Sequence, residues 1–372
     1  MVDKNLYTFI DFGTSAIRAS SFNKETKKIE NHLELSIKDY KSDNLLNEEK
    51  LIQDLIFSLE KKNGEYLDEV FLMLDNPNAL SISITNFKKV DKQITSKDFL
   101  KYIIDDVIFE INKNYPNYII VHTIIKKFFL DDKKLSKLPK DLNNNKIALE
   151  LNFIVYPKFF IQNLKKIFAN QNVGIKKIIF SSYSKSLFYL NKISYQKKII
   201  LVDIGFEKTC AFLFEDSQMK QFKILPIGGN HISKDISKIL KIEISKADEI
   251  KLNFDNIDND IHINPEEIEL IKKIIFSRIE ELLEISTLFS DESKELKNVK
   301  LVFFGNGSKI LDNRFKSNIM FEYDIDLLDE SYLDICQSGL NFIESENKEV
   351  INEQDFKEIK KGFFERFFYL FN

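Results

Sequence analysis

Tryptophan is absent from these 372 residues, cysteine occurs twice, histidine four times, proline six times and glycine only ten times. Cys210 and Cys336 have no CxxC spacing, and His32, His122, His231 and His262 are scattered, which excludes a disulfide framework and a zinc-binding pattern. A reducing, cytosolic setting is therefore expected. No segment reaches the roughly 18 apolar residues of a membrane span, and MVDKNLYTFIDF places no basic region before a long apolar run, so neither a spanning helix nor a secretory leader is expected. Charge of one sign is not in surplus either. The 54 basic and 58 acidic residues give a net charge of -4 and are interspersed, which argues against the basic stripe of a nucleic-acid protein.

Apolar and aromatic residues are ample, and the length suggests two to four subdomains with their own cores. Scarce glycine makes each position informative. Gly13, Gly205, Gly228, Gly229, Gly305 and Gly307 fall in four short segments that follow apolar, strand-like runs. The first two segments repeat one pattern. In Phe9-Ile10-Asp11-Phe12-Gly13-Thr14-Ser15 and in Leu201-Val202-Asp203-Ile204-Gly205-Phe206-Glu207, an apolar strand ends in Asp-x-Gly, turns, and returns as a second strand. One such hairpin is ordinary turn chemistry. Two of them, from related halves, can face each other, hold phosphates on turn N–H groups and hydroxyls, and set Asp11 and Asp203 near a Mg2+ ion and its waters.

The third segment, Pro226-Ile227-Gly228-Gly229-Asn230-His231, leads a double glycine into a helix whose first amides can meet an anion. The fourth, Phe303-Phe304-Gly305-Asn306-Gly307-Ser308, breaks a buried strand into a loop that can seat an adenine ring or a ribose. His231 has no carboxylate partner in view and reads as a loop or capping residue, and Cys210 reads as a packed strand residue.

In this order the segments resemble the superfamily of actin, heat-shock chaperones and sugar kinases, and within it the chain is similar to the FtsA family over nearly its whole length. Asp11 to Ser15 match that family's DIGTS, Pro226 to Gly229 with Ser233 to Ile236 its double-glycine segment, and Ala247 to Lys251 its AExIK. Ser277 to Glu281 match a further helix. The resemblance implies an α/β, actin-like (RNase H-like) two-lobed ATPase fold with an inserted 1C subdomain. It places subdomain 1A at 1–83 and 163–196, the 1C insert at 84–162, 2A at 197–236, 2B at 237–297, and the end of 2A with the return to 1A at 298–342. It further implies Asp11 and Asp203 as catalytic and Mg2+-organising residues. ATP would contact Gly13, Thr14, Ser15, Arg18, Gly205, Gly228, Gly229, Gly305, Asn306 and Gly307, with Glu249 either near the ribose or a solvated surface charge.

Departures from the family pattern bear on chemistry. Ala16 stands where the family has lysine, and Arg18 on the same strand face is the expected substitute charge. Phe206 and Glu207 replace two glycines and Cys210 an aspartate, so phosphate approach is obstructed and repelled, with Lys208 as a partial offset. ATP binding with at most weak hydrolysis is expected.

A polar linker is expected over 343–359, followed by an amphipathic helix over 360–372. Phe363, Phe364, Phe367, Phe368, Leu370 and Phe371 share one face of that helix. Too short to span, it would lie in a membrane interface, with Lys360, Lys361 and Arg366 meeting anionic headgroups. The resemblance then implies a cell-division protein at the cytoplasmic face of the inner membrane, at the septum. It would polymerise, bind the FtsZ C-terminal peptide through 2B, tether the Z-ring, and contact neighbouring copies or later division proteins through 1C. A scaffold for pilus assembly like PilM, or a nucleotide-free adaptor, is the alternative. A sugar or acetate kinase is disfavoured, since no catalytic base is visible.

Overall fold

The computed structural model describes residues 5–37, 45–90, 93–131, 133–135, 138–139, 141–143, 145–254, 257, 263–289, 299–311 and 324–351. His262 and the amphipathic segment 360–372 lie outside them. The chain divides into two units, 1–188 with 335–372, and 189–334.

In the first unit, β1 (Leu6–Phe12), β2 (Ala16–Asn23) and β3 (Ile29–Ser36) form an antiparallel meander. Helix α1 (Leu45–Asn63) then leads to β4 (Glu69–Leu74), which returns parallel to β1. An inserted layer follows: β5 (Leu80–Lys89), β6 (Ile94–Thr95), α2 (Ser96–Asn114), β7 (Tyr118–Leu130), β8 (Lys133–Leu135), β9 (Asp141–Leu142) and β10 (Lys146–Pro157). Its main sheet runs β5-β10-β7-β8. Thr95 caps α2 by accepting the Asp98 N–H, and the helix turns Phe99, Leu100, Ile103, Ile104, Val107 and Ile111 toward that sheet. This three-and-four spacing gives the insert its own core, each buried aliphatic side chain contributing about 1.5–3 kcal/mol. The sheet begins at Leu80, earlier than the expected start at 84, because its edge strand already pairs with β10 from there. The chain then passes through α3 (Lys158–Asn170) to β11 (Gly174–Phe180), parallel to β4, giving the order β11-β4-β1-β2-β3.

Helix α4 (Ser181–Lys192) starts in the first unit and ends in the second, so the division at 188/189 precedes the expected 196/197 boundary. The cause is packing. Tyr189, in its last turn, lies 4.9 Å from the Phe304 ring, centroid to centroid.

The second unit repeats the first unit's plan. Strands β12 (Lys198–Ile204), β13 (Thr209–Glu215) and β14 (Gln218–Leu225) form the meander. Helices α5 (Gly229–Leu240), α6 (Ile244–Leu252) and α7 (Pro265–Thr287) intervene. β15 (Lys300–Phe304) and β16 (Asp324–Leu327) then add in parallel. The order β16-β15-β12-β13-β14 is that of the first sheet, strand for strand. Asn264 and Glu267 cap α7 reciprocally behind Pro265, and α7 buries Ile271, Ile275 and Ile279 with Val202, Ile204 and Leu301 in one core.

The last described helix, α8 (Tyr332–Ile351), carries the chain back to the first unit. Residues 343–346, read from sequence as the start of a linker, are packed helix. Ile343 is buried, and Glu346, 1% exposed, pairs with Lys177 of β11 at 2.5–2.6 Å.

Candidate nucleotide site

In the first unit Asp11 lies opposite Arg18 in the β1–β2 ladder. Its carboxylate accepts a hydrogen bond from Ser181 Oγ at 2.6 Å and stands 3.6 Å from Arg18 Nη1. Burial pushes the Asp11 carboxyl above the usual range and Asp75 adds to the push, while Arg18, Lys185 and the Ser181 bond oppose it. Arg18 is 8% exposed, and its other nitrogen lies 3.0 Å from Glu34 on β3. It thus sits between two carboxylates, where its first task is to neutralise them. At Gly13 a Cβ would come within 2.8 Å of the Ala16 carbonyl, so the tight turn requires glycine.

Three parallel strands, β1, β4 and β11, bring their C-terminal ends side by side here. That arrangement adds residues the sequence reading missed. Asp75, just past β4, accepts from Ser182 Oγ at 3.0 Å and from Ser182 N–H at 3.3 Å, at the start of α4. Ser181 holds Asp11, and the buried Lys185 lies one turn further along α4. The available signal was the apolar run Phe71 to Leu74 ending in an aspartate, as β1 does, and a serine-rich helix start after an apolar strand.

In the second unit Asp203 is buried opposite Cys210 and beside Phe304. Gly305, with a φ of +88°, packs so closely that a Cβ would lie 2.4 Å from Asp203 Oδ1. A Cβ at Gly228 would meet the Phe206 and Gly205 carbonyls at 2.6 and 2.7 Å, and one at Gly307 the Gly205 carbonyl at 2.8 Å. These glycines are therefore brought together, with the β12–β13 turn at their centre. The first amides of α5 are engaged by that same turn: Gly229 N–H donates to the Gly205 carbonyl at 2.9 Å and Asn230 N–H to the Phe206 carbonyl at 2.8 Å. Gly228 N–H donates to His231 Nδ1 at 3.1 Å, so His231 caps the helix. Protein acceptors occupy the positions where the sequence suggested an anion.

Other placements sharpen the reading. Glu207 accepts from Asn230 Nδ2 at 2.5 Å and pairs with Lys234 at 3.6 Å, so its charge is directed along α5. Lys208 is buried with Nζ 3.2 Å from Cys210 Sγ, not presented at the turn's surface as an offset to Glu207. Glu249 lies on the exposed face of α6, paired with Lys246 at 3.2 Å. Its neighbour Asp248 is the buried carboxylate. Lys251 Nζ donates to Asp248 Oδ1 at 2.7 Å, Ser233 Oγ at 2.8 Å and the Gly229 carbonyl at 3.0 Å, clamping α6 to the double-glycine turn. Asn306 opens a 3-10 turn, Asn306–Ile310, and is exposed, while Ser308 bonds back to the Gly305 carbonyl. Thr14 and Ser15 are half-buried in the first turn. Among the described residues no group of three or more His, Cys, Asp or Glu side chains is arranged to hold a metal. Both cysteines are free and buried, and burial together with the nearby Asp11 pushes the Cys336 thiol up to about 12.

Two sheets of identical strand order, each with an Asp-ended hairpin, define a protein of the actin-like ATPase fold. Solved structures agree. The PilM-PilN type IV pilus biogenesis complex matches with a TM-score of 0.60 at 13% identity, over 88% of this chain and 89% of that one. MreB 5 of Spiroplasma citri bound to AMPPNP matches with a TM-score of 0.51 at 13% identity, over 95% of this chain and 100% of that one. Within that fold the chain is similar to the cell division protein FtsA, whose family model matches residues 200–304. FtsA of Streptococcus pneumoniae is 23% identical over 265 residues, 68% of this chain and 57% of the relative. FtsA of Helicobacter pylori is 25% identical over 138 residues, 37% of this chain and 28% of the relative, and FtsA of Bacillus subtilis 25% identical over 182 residues, 45% and 41%. The chain thus spans between 28% and 57% of the length of these relatives.

Proposed function

We propose that this protein is an actin-like division adaptor of the FtsA type, which polymerises and tethers FtsZ filaments to the cytoplasmic face of the inner membrane during septum assembly. The duplicated hairpin-bearing sheet, with the FtsA match falling on its second copy, is the observation that carries the reading. The segment 237–297 would take the FtsZ C-terminal peptide, and the insert would meet neighbouring copies or later division proteins. The Phe-rich segment 360–372 would supply the membrane contact, each fully buried aromatic contributing about 1.5–3 kcal/mol before ordering costs.

ATP with Mg2+ is the proposed ligand, its phosphates against the Gly13 to Ser15 turn. Asp11 fits such an ion only through water, since Ser181 takes one carboxylate oxygen and Arg18 stands near the other. Mg2+ commonly keeps several of its waters, and when bound it would offset charge on the phosphates. In the second unit the occupied α5 amides and the Phe206 and Glu207 side chains leave little for a phosphate to bind, which supports slow or absent hydrolysis and a nucleotide acting as a conformational ligand.

Flotation with anionic liposomes tests the tether: the full chain should float, and a chain ending at 359 should stay with the soluble fraction. Equal flotation of both would remove the role of the tail. Co-sedimentation with FtsZ polymers tests the partner, and no association would leave the pilus-scaffold alternative in front.

A further inference from the structure

Two neighbouring strands of the first unit bring an aspartate to the same end of the sheet. Asp11 is the penultimate residue of β1, and Asp75 follows the last residue of β4, which runs parallel to it. Asp11 is 4% exposed and Asp75 half-buried, and the charge of Asp75 bears on the Asp11 carboxyl. Two carboxylates drawn together out of water are unfavourable unless a cation answers them. Arg18 answers only in part. Its guanidinium lies 3.0 Å from Glu34 and 3.6 Å from Asp11, so one charge is divided between two acids before Asp75 is considered.

A second cation comes from α4. Ser181 Oγ donates to Asp11, and Ser182 donates to Asp75 through both Oγ and N–H, which fixes the side of the first helical turn that meets the two acids. Lys185 follows these serines by four and three residues, the spacings that stack side chains on one helical face. It is buried, and its charge acts on Asp11. An ammonium held away from water is stable only in the company of carboxylates, and here two of them lie one turn back along its own helix.

The same pair of acids has the chemistry to take a divalent cation, since hard ions bind carboxylate oxygens and complete their shells with water. An ion arriving alone would meet the repulsion of Lys185 and would have to displace a charge tethered to the site, whose local concentration does not fall on dilution. We propose that Lys185 is a built-in counter-ion for Asp11 and Asp75, which keeps divalent cations out of the nucleotide-free protein, so that Mg2+ enters only in the company of phosphates. Lys185 is thus a positioning residue that sets the order of binding. The inference rests on the proposed nucleotide reading only for what accompanies the metal.

Electron paramagnetic resonance of Mn2+, which accepts the same oxygen ligands as Mg2+, tests it on the full chain freed of nucleotide. The wild type should leave the free-ion signal intact at concentrations where Lys185→Met depletes it, a gain in affinity of at least about tenfold. Lys185→Arg keeps the charge and should behave as the wild type, and adding Asp11→Asn to Lys185→Met should abolish the gain. A purely structural role for the lysine would not produce that pattern. Equal uptake by wild type and Lys185→Met, a gain shared by Lys185→Arg, or a gain that survives Asp11→Asn would overturn the proposal. Should Lys185→Met fail to fold, Lys185→Gln takes its place, and wild-type uptake that Asp11→Asn removes would overturn the proposal without any change at the lysine. No nucleotide enters these measurements, so a failed ATP titration would count against the nucleotide reading and not against the counter-ion.

Discussion

At the residue scale the two aspartates are not equivalent, although their hairpins are. Asp11 has a cation across the ladder and a hydroxyl at its tip, whereas Asp203 has a cysteine across and a glycine pressed on it. Asp11→Asn should therefore weaken Mg2+-dependent ATP binding, readable by calorimetry, while leaving the fold intact because asparagine can still accept from Ser181. A second titratable group makes a separate prediction. His122 is buried with Nε2 accepting the Phe180 N–H at 2.9 Å, and burial, aided by the charge of Lys177, holds its imidazole down at about 3. An unfolded chain protonates this residue near its ordinary value of about 6.5, so as pH falls from there toward 3 the unfolded state gains and stability drops by about 1.4 kcal/mol per pH unit. Asp11 and Glu346, whose carboxyls burial raises, oppose this, since the folded state takes up their protons more readily. Urea denaturation of His122→Gln, compared with the wild type at pH 6.5 and 4.5, should show a smaller acid loss for the variant.

At the scale of elements the hairpins and the double-glycine helix start were legible, because turn chemistry and alternation are local. What escaped depended on neighbours distant in sequence. Asp75 and Ser181 become site residues only because β4 and β11 lie parallel beside β1. Glu249 takes the solvated position that its helix also allowed, while Asp248, one residue away, turns to the buried face of α6. The double glycine was correctly located, but its amides turn to the neighbouring hairpin. If Phe206 and Glu207 are what narrow that turn, Phe206→Gly with Glu207→Gly should raise ATP affinity by about tenfold, and an unchanged titration would point to the α5 contacts instead. Helix α8 offers a stability test. Removing Glu346 leaves Lys177 in a largely buried place, so Glu346→Ala should cost about 3–5 kcal/mol in chemical denaturation.

For the whole molecule, no described helix is long and apolar enough to cross a membrane. A single short amphipathic helix is a modest anchor, and linking many copies in a filament multiplies its hold. Flotation should accordingly depend on protein concentration more steeply than monomer binding would. The repeated sheet also explains how the chain accommodates its departures. Each copy is held by its own aliphatic interior, as in the second unit, where Val202, Ile204, Ala211 and Leu301 share a core with α7. A twin built this way is free to age at a different rate from its sibling: one half can surrender a charge here and a bare turn there while its architecture persists, and the pair carries forward as an old instrument with one string retuned.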